Sequence, residues 1–267
     1  MKVIKHLFIW SVVTNYKMRT ISTVLFILTT YLTFGQYPFE KYPSPTYLEY
    51  KDWKLYDWTT KKQSINSTLK IDQFFDNKDA LTIQLTSFTS NGDNPSVIRV
   101  FRNKTQVQKI TEQMFFSSLN IGHEPIRVVD INGDGLKDLK IIVPYMGNGI
   151  AELNVRVIYL FQTKDQKFIK ISFTDMMDGN RVERDFDGNG NFEIITMNLT
   201  GYERHNYWVF NIFEYNESQL KCFNNKENYP IMIQFLNRDN YEITDKIDRE
   251  KMKEFAIQLP DDYDRKE

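Results

Sequence analysis

From Tyr47 to Phe235 the chain runs in short segments rich in Tyr, Phe, Ile, Val and Thr, broken by polar turn clusters. The clusters recur roughly every 8–12 residues, the spacing of strands in β-sandwiches and propellers. The pattern predicts an all-β fold. Val97–Phe101, a turn at Arg102–Thr105 and Gln106–Ile110 read as one hairpin. Val157–Phe161, a turn at Thr163–Lys167 and a strand from Phe168 read as a second. Val209–Phe213, a turn at Tyr215–Gln219 and a strand from Leu220 read as a third. The segment Tyr47–Trp58 holds one or two further strands. Asp245–Ala256 has the period of a short amphipathic helix, with Ile247, Met252 and Phe255 as its apolar residues. The tail Asp261–Glu267 is charged and is expected to fray.

The hairpins belong to a longer repeat. When Arg127–Ile141 is laid over Val182–Thr196, Asp130 falls on Asp185, Asp134 on Asn189 and Asp138 on Glu193. A β-rich strand leaves each loop, Leu139–Val143 in the first copy and Ile194–Met197 in the second. The approach differs: Ile126–Val129 is apolar, whereas Arg181–Arg184 is mostly charged. A third copy, Ile71–Leu85, keeps Asp72 and Asp76 but has Phe74 and Ala80 where the others carry oxygen, so it is not expected to hold a metal.

The two intact loops, Asp130–Asp138 and Asp185–Glu193, carry the strongest chemical signal. Each places oxygen-bearing side chains at positions 1, 3, 5 and 9, with Gly at position 6. Calcium takes six to eight oxygen ligands, and a short loop supplies them only by curling around the ion. Each loop presents three carboxylates and one amide, an array that repels itself unless a cation is present. An EF-hand would need a bidentate Glu at position 12 and flanking helices. Position 12 is Ile141 in one loop and Thr196 in the other, and the downstream flanks read as strands.

This pattern resembles the calcium loops of FG-GAP and VCBS-type repeats, β-propeller blades in which the loop joins two strands of a blade. The resemblance spans roughly residues 72–223. It implies one site of Asp130, Asn132, Asp134, the carbonyl of Leu136, and Asp138. It implies a second of Asp185, Asp187, Asn189, the carbonyl of Asn191, and Glu193. The Phe-Gly…Gly-Ala-Pro signature of the family is absent, and Glu193 is one methylene longer than the usual Asp. The chain has room for about four such units, which implies a small or incomplete propeller or an open stack of blades.

The N-terminus reads as a secretory signal peptide, residues 1–35, with Met18 as an alternative start. Ile21–Phe34 is the apolar stretch, and Thr33 and Gly35 are the small residues before a cut. No membrane span is expected after cleavage. Removing Lys2, Lys5, Lys17 and Arg19 takes the formal net charge from −1 to −5. A negative chain lacks the basic footprint of a nucleic-acid binder. Cys222 is the only cysteine, so no intrachain disulfide forms and a bound metal is the available staple. The domain follows at 36–260. Its leader, together with a Lys-, Asn-, Ile- and Phe-rich composition, points to a bacterial protein that is secreted, periplasmic or at the cell surface.

No catalytic set emerges. After cleavage only His123 and His205 remain, and neither sits in a nucleophile or zinc motif. Trp53, Trp58, Tyr202, Tyr207 and Trp208 could stack on sugars or fill a core. Tyr202, Glu203, His205 and Tyr207 form a candidate ligand loop between the second calcium strand and its hairpin. The expectation is a calcium-binding module for a glycan or protein partner, with calcium structural. The alternatives are an extracytoplasmic enzyme acting on polysaccharide and a purely structural envelope protein.

Overall fold

The computed structural model describes residues 37–55, 64–88, 95–114, 116, 124–146, 154–176, 181–226, 228–234, 242–243 and 247–267. The leader and its cleavage point, Trp58, His123 and the connection 147–153 lie outside the described residues.

Among the described residues the strands form three antiparallel sheets. The first joins β2 (Lys54–Leu55), β3 (Ser64–Ile71), β4 (Leu81–Phe88), β5 (Ser96–Arg102) and β6 (Thr105–Glu112) in that order. The central sheet contains β7 (Ile126–Val129), β8 (Asp138–Met146), β9 (Asn154–Gln162) and β10 (Phe168–Met176). Its edges are covered by β1 (Leu48–Tyr50), which pairs with β7, and β16 (Asp264–Lys266), which pairs with β10. The third holds β11 (Ile194–Tyr202), β12 (His205–Asn216), β13 (Gln219–Cys222), β14 (Ile231–Gln234) and β15 (Glu242–Ile243).

The repeat in the sequence is therefore a repeat in space. β3–β6 and β7–β10 are each a run of four strands in which neighbours in sequence pair. In the third copy the charged approach forms only one bridge, Arg184 with Glu193, before β11, β12 and β13 continue the same order. Each loop of the repeat sits between the first and second members of its run.

The central position of the second sheet explains its composition. Val155 to Phe161 in β9 are all buried, because both faces of that strand are covered. A strand covered on both faces reads as a near-continuous apolar run instead of an alternating one. Ile158 and Leu160 point into a core shared with Leu69, Ile83 and Val100 of the first sheet. Val157, Tyr159 and Phe161 point the other way, into a core shared with Ile194 and Phe213 of the third. Each such side chain contributes on the order of 1.5–3 kcal/mol through removal from water.

Buried charges tie the sheets together at fixed points. Between the first and central sheets, Glu112 pairs with Arg156 at 2.8 Å and with Lys170 at 3.1 Å, and Lys170 also contacts Asp264. Between the central and third sheets, Lys140 reaches Glu183 at 2.6 Å, and the hydroxyls of Tyr47 and Tyr159 donate to the same carboxylate. Burial pushes the Glu183 carboxyl up, but Lys140 and the two phenols outweigh it and hold it below the usual value.

Two local expectations change. The tail does not fray: Asp264–Lys266 is a paired strand, and Asp264 is only 5% exposed where it meets Lys170. A charged tail reads as solvated only while its buried counter-ion is unknown. The helix is shorter than its apolar period, Arg249–Lys253, capped by Asp248, whose side chain accepts from the Lys251 amide at 2.8 Å. After Lys253 the chain closes with bonds to the third residue back, such as Phe255 to Met252 at 3.0 Å. Ile247 and Met252 are buried as expected, and Phe255 packs beside them. No helix among the described residues is long and apolar enough to cross a membrane.

Candidate metal loops

The two loops fold by the same rules, position by position. In each, the Asp at position 1 accepts the amides of positions 5 and 6. Asp130 takes Asp134 at 3.2 Å and Gly135 at 2.8 Å, and Asp185 takes Asn189 and Gly190, both at 3.1 Å. The side chain at position 5 accepts the amide of position 7, at 2.8 Å for Asp134 to Leu136 and 2.7 Å for Asn189 to Asn191. The acid at position 9 accepts the amide of position 2, at 2.9 Å in both loops: Ile131 to Asp138 and Phe186 to Glu193.

Two features of this frame escaped the sequence pattern. Position 4 is also Gly, and Gly133, Gly135, Gly188 and Gly190 all have φ between 71° and 87°, where a side chain is strained. Position 2 is a buried apolar plug, Ile131 in one loop and Phe186 in the other. Both signals were present in the chain, but neither is a ligand, so a search for oxygen donors passes over them.

In the second loop the side-chain oxygens of Asp185, Asp187 and Glu193 lie within 4.8 Å of one another. Among the described residues, no other trio of acidic, His or Cys side chains is gathered so closely. The first loop carries Asn132 where the second has Asp187, so only Asp130 and Asp138 match two of the three acids. Asp138 gives one oxygen to Ile131 and the other to the Gln162 amide at 3.0 Å. Asp134 takes the side-chain amide of Asn132 at 3.1 Å. Burial pushes both position-9 carboxyls up to about 7. For Asp138 the nearby Asp134 and Asp130 add to that rise, and for Glu193 the nearby Asp187 and Asp185 do so.

The loops touch. The Phe192 amide donates to the Ile131 carbonyl at 2.9 Å, and a Cβ placed on Gly133 would meet the Asn191 side-chain oxygen at 2.1 Å. Beside this contact lies a polar groove of about 320 Å³, lined by Asn132, Asn189, Asn191, Tyr215, Asn216 and Glu217 among others. The degenerate third copy has core side chains where the other two carry oxygen. Phe74 and Phe75 are each 2% exposed and pack against Phe168.

No family model matches the chain, and no curated protein and no solved structure matches it.

The candidate ligand loop at Tyr202–Tyr207 is a tight hairpin. β11 runs to Tyr202 and β12 begins at His205. Only Glu203 and Arg204 remain as the turn, both with positive φ. Tyr207 is a core residue, 4% exposed and clustered with Val209 and Met232. Tyr202 donates to Glu203 at 3.0 Å and packs against Phe255, and His205 contacts Gln234 at 3.3 Å. Trp208 is also buried, and Trp53 is half-buried with its indole donating to the Glu124 carbonyl at 3.1 Å. The sequence offered aromatic residues without their facing. Alternation along a strand covered on both sides sends Tyr207 and Trp208 into two different cores.

Proposed function

We propose that this chain is a calcium-stapled, propeller-like binding module that works outside the cytoplasm and holds a glycan or protein partner. The observation that carries the reading is the convergence of Asp185, Asp187 and Glu193 in a loop whose hydrogen-bond frame is repeated at Asp130–Asp138. The donors are carboxylates and amides, with no His or Cys, and such hard oxygen donors suit calcium over zinc or copper. Asp185, Asp187, Asn189, the Asn191 carbonyl and Glu193 would hold one ion. Asp130, Asn132, Asp134, the Leu136 carbonyl and Asp138 would hold the other. Calcium would neutralise charge in the loops and fix them against each other, which makes it a staple and not a catalyst.

The FG-GAP/VCBS reading is supported by the shared placement of the loops in successive four-stranded runs, which would be blades of an open stack. The groove beside the loops is the natural partner face, because its amides and acids can bond hydroxyls directly or through water. Calcium calorimetry on residues 36–267, with melts in calcium and in a chelator, tests the reading. Two ions are expected, and one after Asp134→Ala or Asp187→Ala. No heat and an unchanged melt would leave the loops as ordinary polar turns.

A further inference from the structure

A second site lies away from the metal loops, between the central and third sheets. It is a cavity of about 40 Å³, enough for roughly three waters or a group of three to four heavy atoms. Ile142, Val155, Val157, Phe173 and Ile195 form an apolar wall, and Arg127, Lys140 and Arg181 bring cations to it. Glu124 and Val182 line it and are half-buried, so the cavity reaches solvent.

Its polar lining has donors to spare. The Arg181 side chain is only 7% exposed. Its Nη2 donates to Asp175 and to the Met176 carbonyl, but its Nη1 is buried and has no partner among the described residues. A buried donor left unmade costs about 1–3 kcal/mol, so a site that keeps one is poised for an acceptor. Lys140 has three ammonium donors and spends one on Glu183.

Charge then narrows the ligand. Each cation already has a carboxylate: Arg127 has Glu124 at 3.4 Å, Lys140 has Glu183 at 2.6 Å, and Arg181 has Asp175. A ligand anion would add an uncompensated buried charge, which is costly. The complement is a neutral acceptor with a small apolar end. We infer that this cavity takes the acetamido group of an N-acetylated amino sugar, its carbonyl oxygen accepting from Arg181 Nη1 and Lys140, and its methyl against the apolar wall.

The inference rests on the glycan reading of the proposed function, places the sugar at a site separate from the loop groove, and needs no metal. N-acetylglucosamine is titrated against the chain by saturation-transfer NMR and thermal melting, with glucose, glucosamine and acetate as controls, in calcium and in chelator. The expected result is binding of N-acetylglucosamine alone, with the acetyl methyl receiving the strongest saturation. Arg181→Gln should weaken it by about tenfold or more. Because that change strands Asp175, Val182→Trp serves as a second variant, expected to block the cavity while the melt is retained. No binding, equal binding of glucose, binding of acetate in place of the sugar, or binding untouched by Val182→Trp would overturn the inference. Sugar binding that survives while calcium fails to bind would remove only the metal reading. Two bound ions without sugar binding would remove only this site.

Discussion

The backbone amide of Phe192 donates to the carbonyl of Ile131 at 2.9 Å, so the two loops are hydrogen-bonded to each other through residues outside the expected ligand sets. Each of these residues is tied to its own loop: Ile131 donates to Asp138, and Phe192 is next to Glu193. A cation drawn into one loop acts on an element shared with the other. Binding at one site should therefore raise affinity at the second. Calorimetry of the unmodified chain and of Asp187→Ala checks this, with a weaker first-loop site expected in the variant.

Gly133→Ala should destabilise the chain by about 1–3 kcal/mol from its left-handed backbone alone. The close approach to Asn191 adds to that. Asn191→Ala in the same chain should restore the steric part and leave the backbone part. A double-mutant cycle by urea unfolding measures the difference, and simple additivity would mean the two side chains do not meet.

Removing calcium should lower the melting temperature. At a hundredfold excess of ion over Kd, one site contributes about 2.7 kcal/mol. Glu193→Gln keeps an acceptor for the Phe186 amide while deleting the charge. It should lose the second ion yet melt close to the unmodified chain in chelator. Equal calcium stabilisation of both proteins would show that Glu193 is not a ligand.

Acidity should oppose the ion. Asp138 and Glu193 sit near 7 when folded, against ordinary values of 3.8 and 4.5. Their folded forms therefore hold protons that the unfolded chain releases. Without metal, their share of stability is present at low pH and is lost as pH rises through 7. Calcium needs them ionised, so its affinity should climb about tenfold per pH unit for each proton released below 7, then level off. Chelator competition between pH 5.5 and 8.5 follows the slope. A flat profile would mean these carboxyls are already ionised before the ion arrives.

Lys170→Met should cost about 3–5 kcal/mol, because Asp264 would lose its buried cation while Glu112 would keep Arg156 alone, which leaves the buried cluster one negative charge in excess. Urea unfolding measures the loss. A change below about 1 kcal/mol would show that the cluster is solvated, as surface pairs are.

Much of the architecture was legible in the chain. The hairpin turn at Thr163–Lys167 is closed as the pattern implied, by the Thr163 amide donating to the Lys167 carbonyl at 2.9 Å. The repeat of Asp130 on Asp185 located two loops with matching hydrogen bonds. What the chain concealed was facing and long-range pairing. Tyr207 looked like a loop aromatic because a two-residue turn cannot be told from a longer loop when polar residues flank it. Lys140 interrupts an apolar strand, and Arg181–Arg184 is charged, yet nothing local shows that Glu183 is the partner of Lys140. Such pairs become visible only when sheets are stacked.

The two edge strands of the central sheet come from opposite ends of the described chain, Leu48–Tyr50 and Asp264–Lys266. The first and third sheets are built mainly from neighbours in sequence and can nucleate early. The central sheet joins distant segments at both of its edges, which raises the contact order. Without those two strands β7 and β10 would present unpaired edges, so loss of either terminal segment would open the central sheet to pairing with other copies.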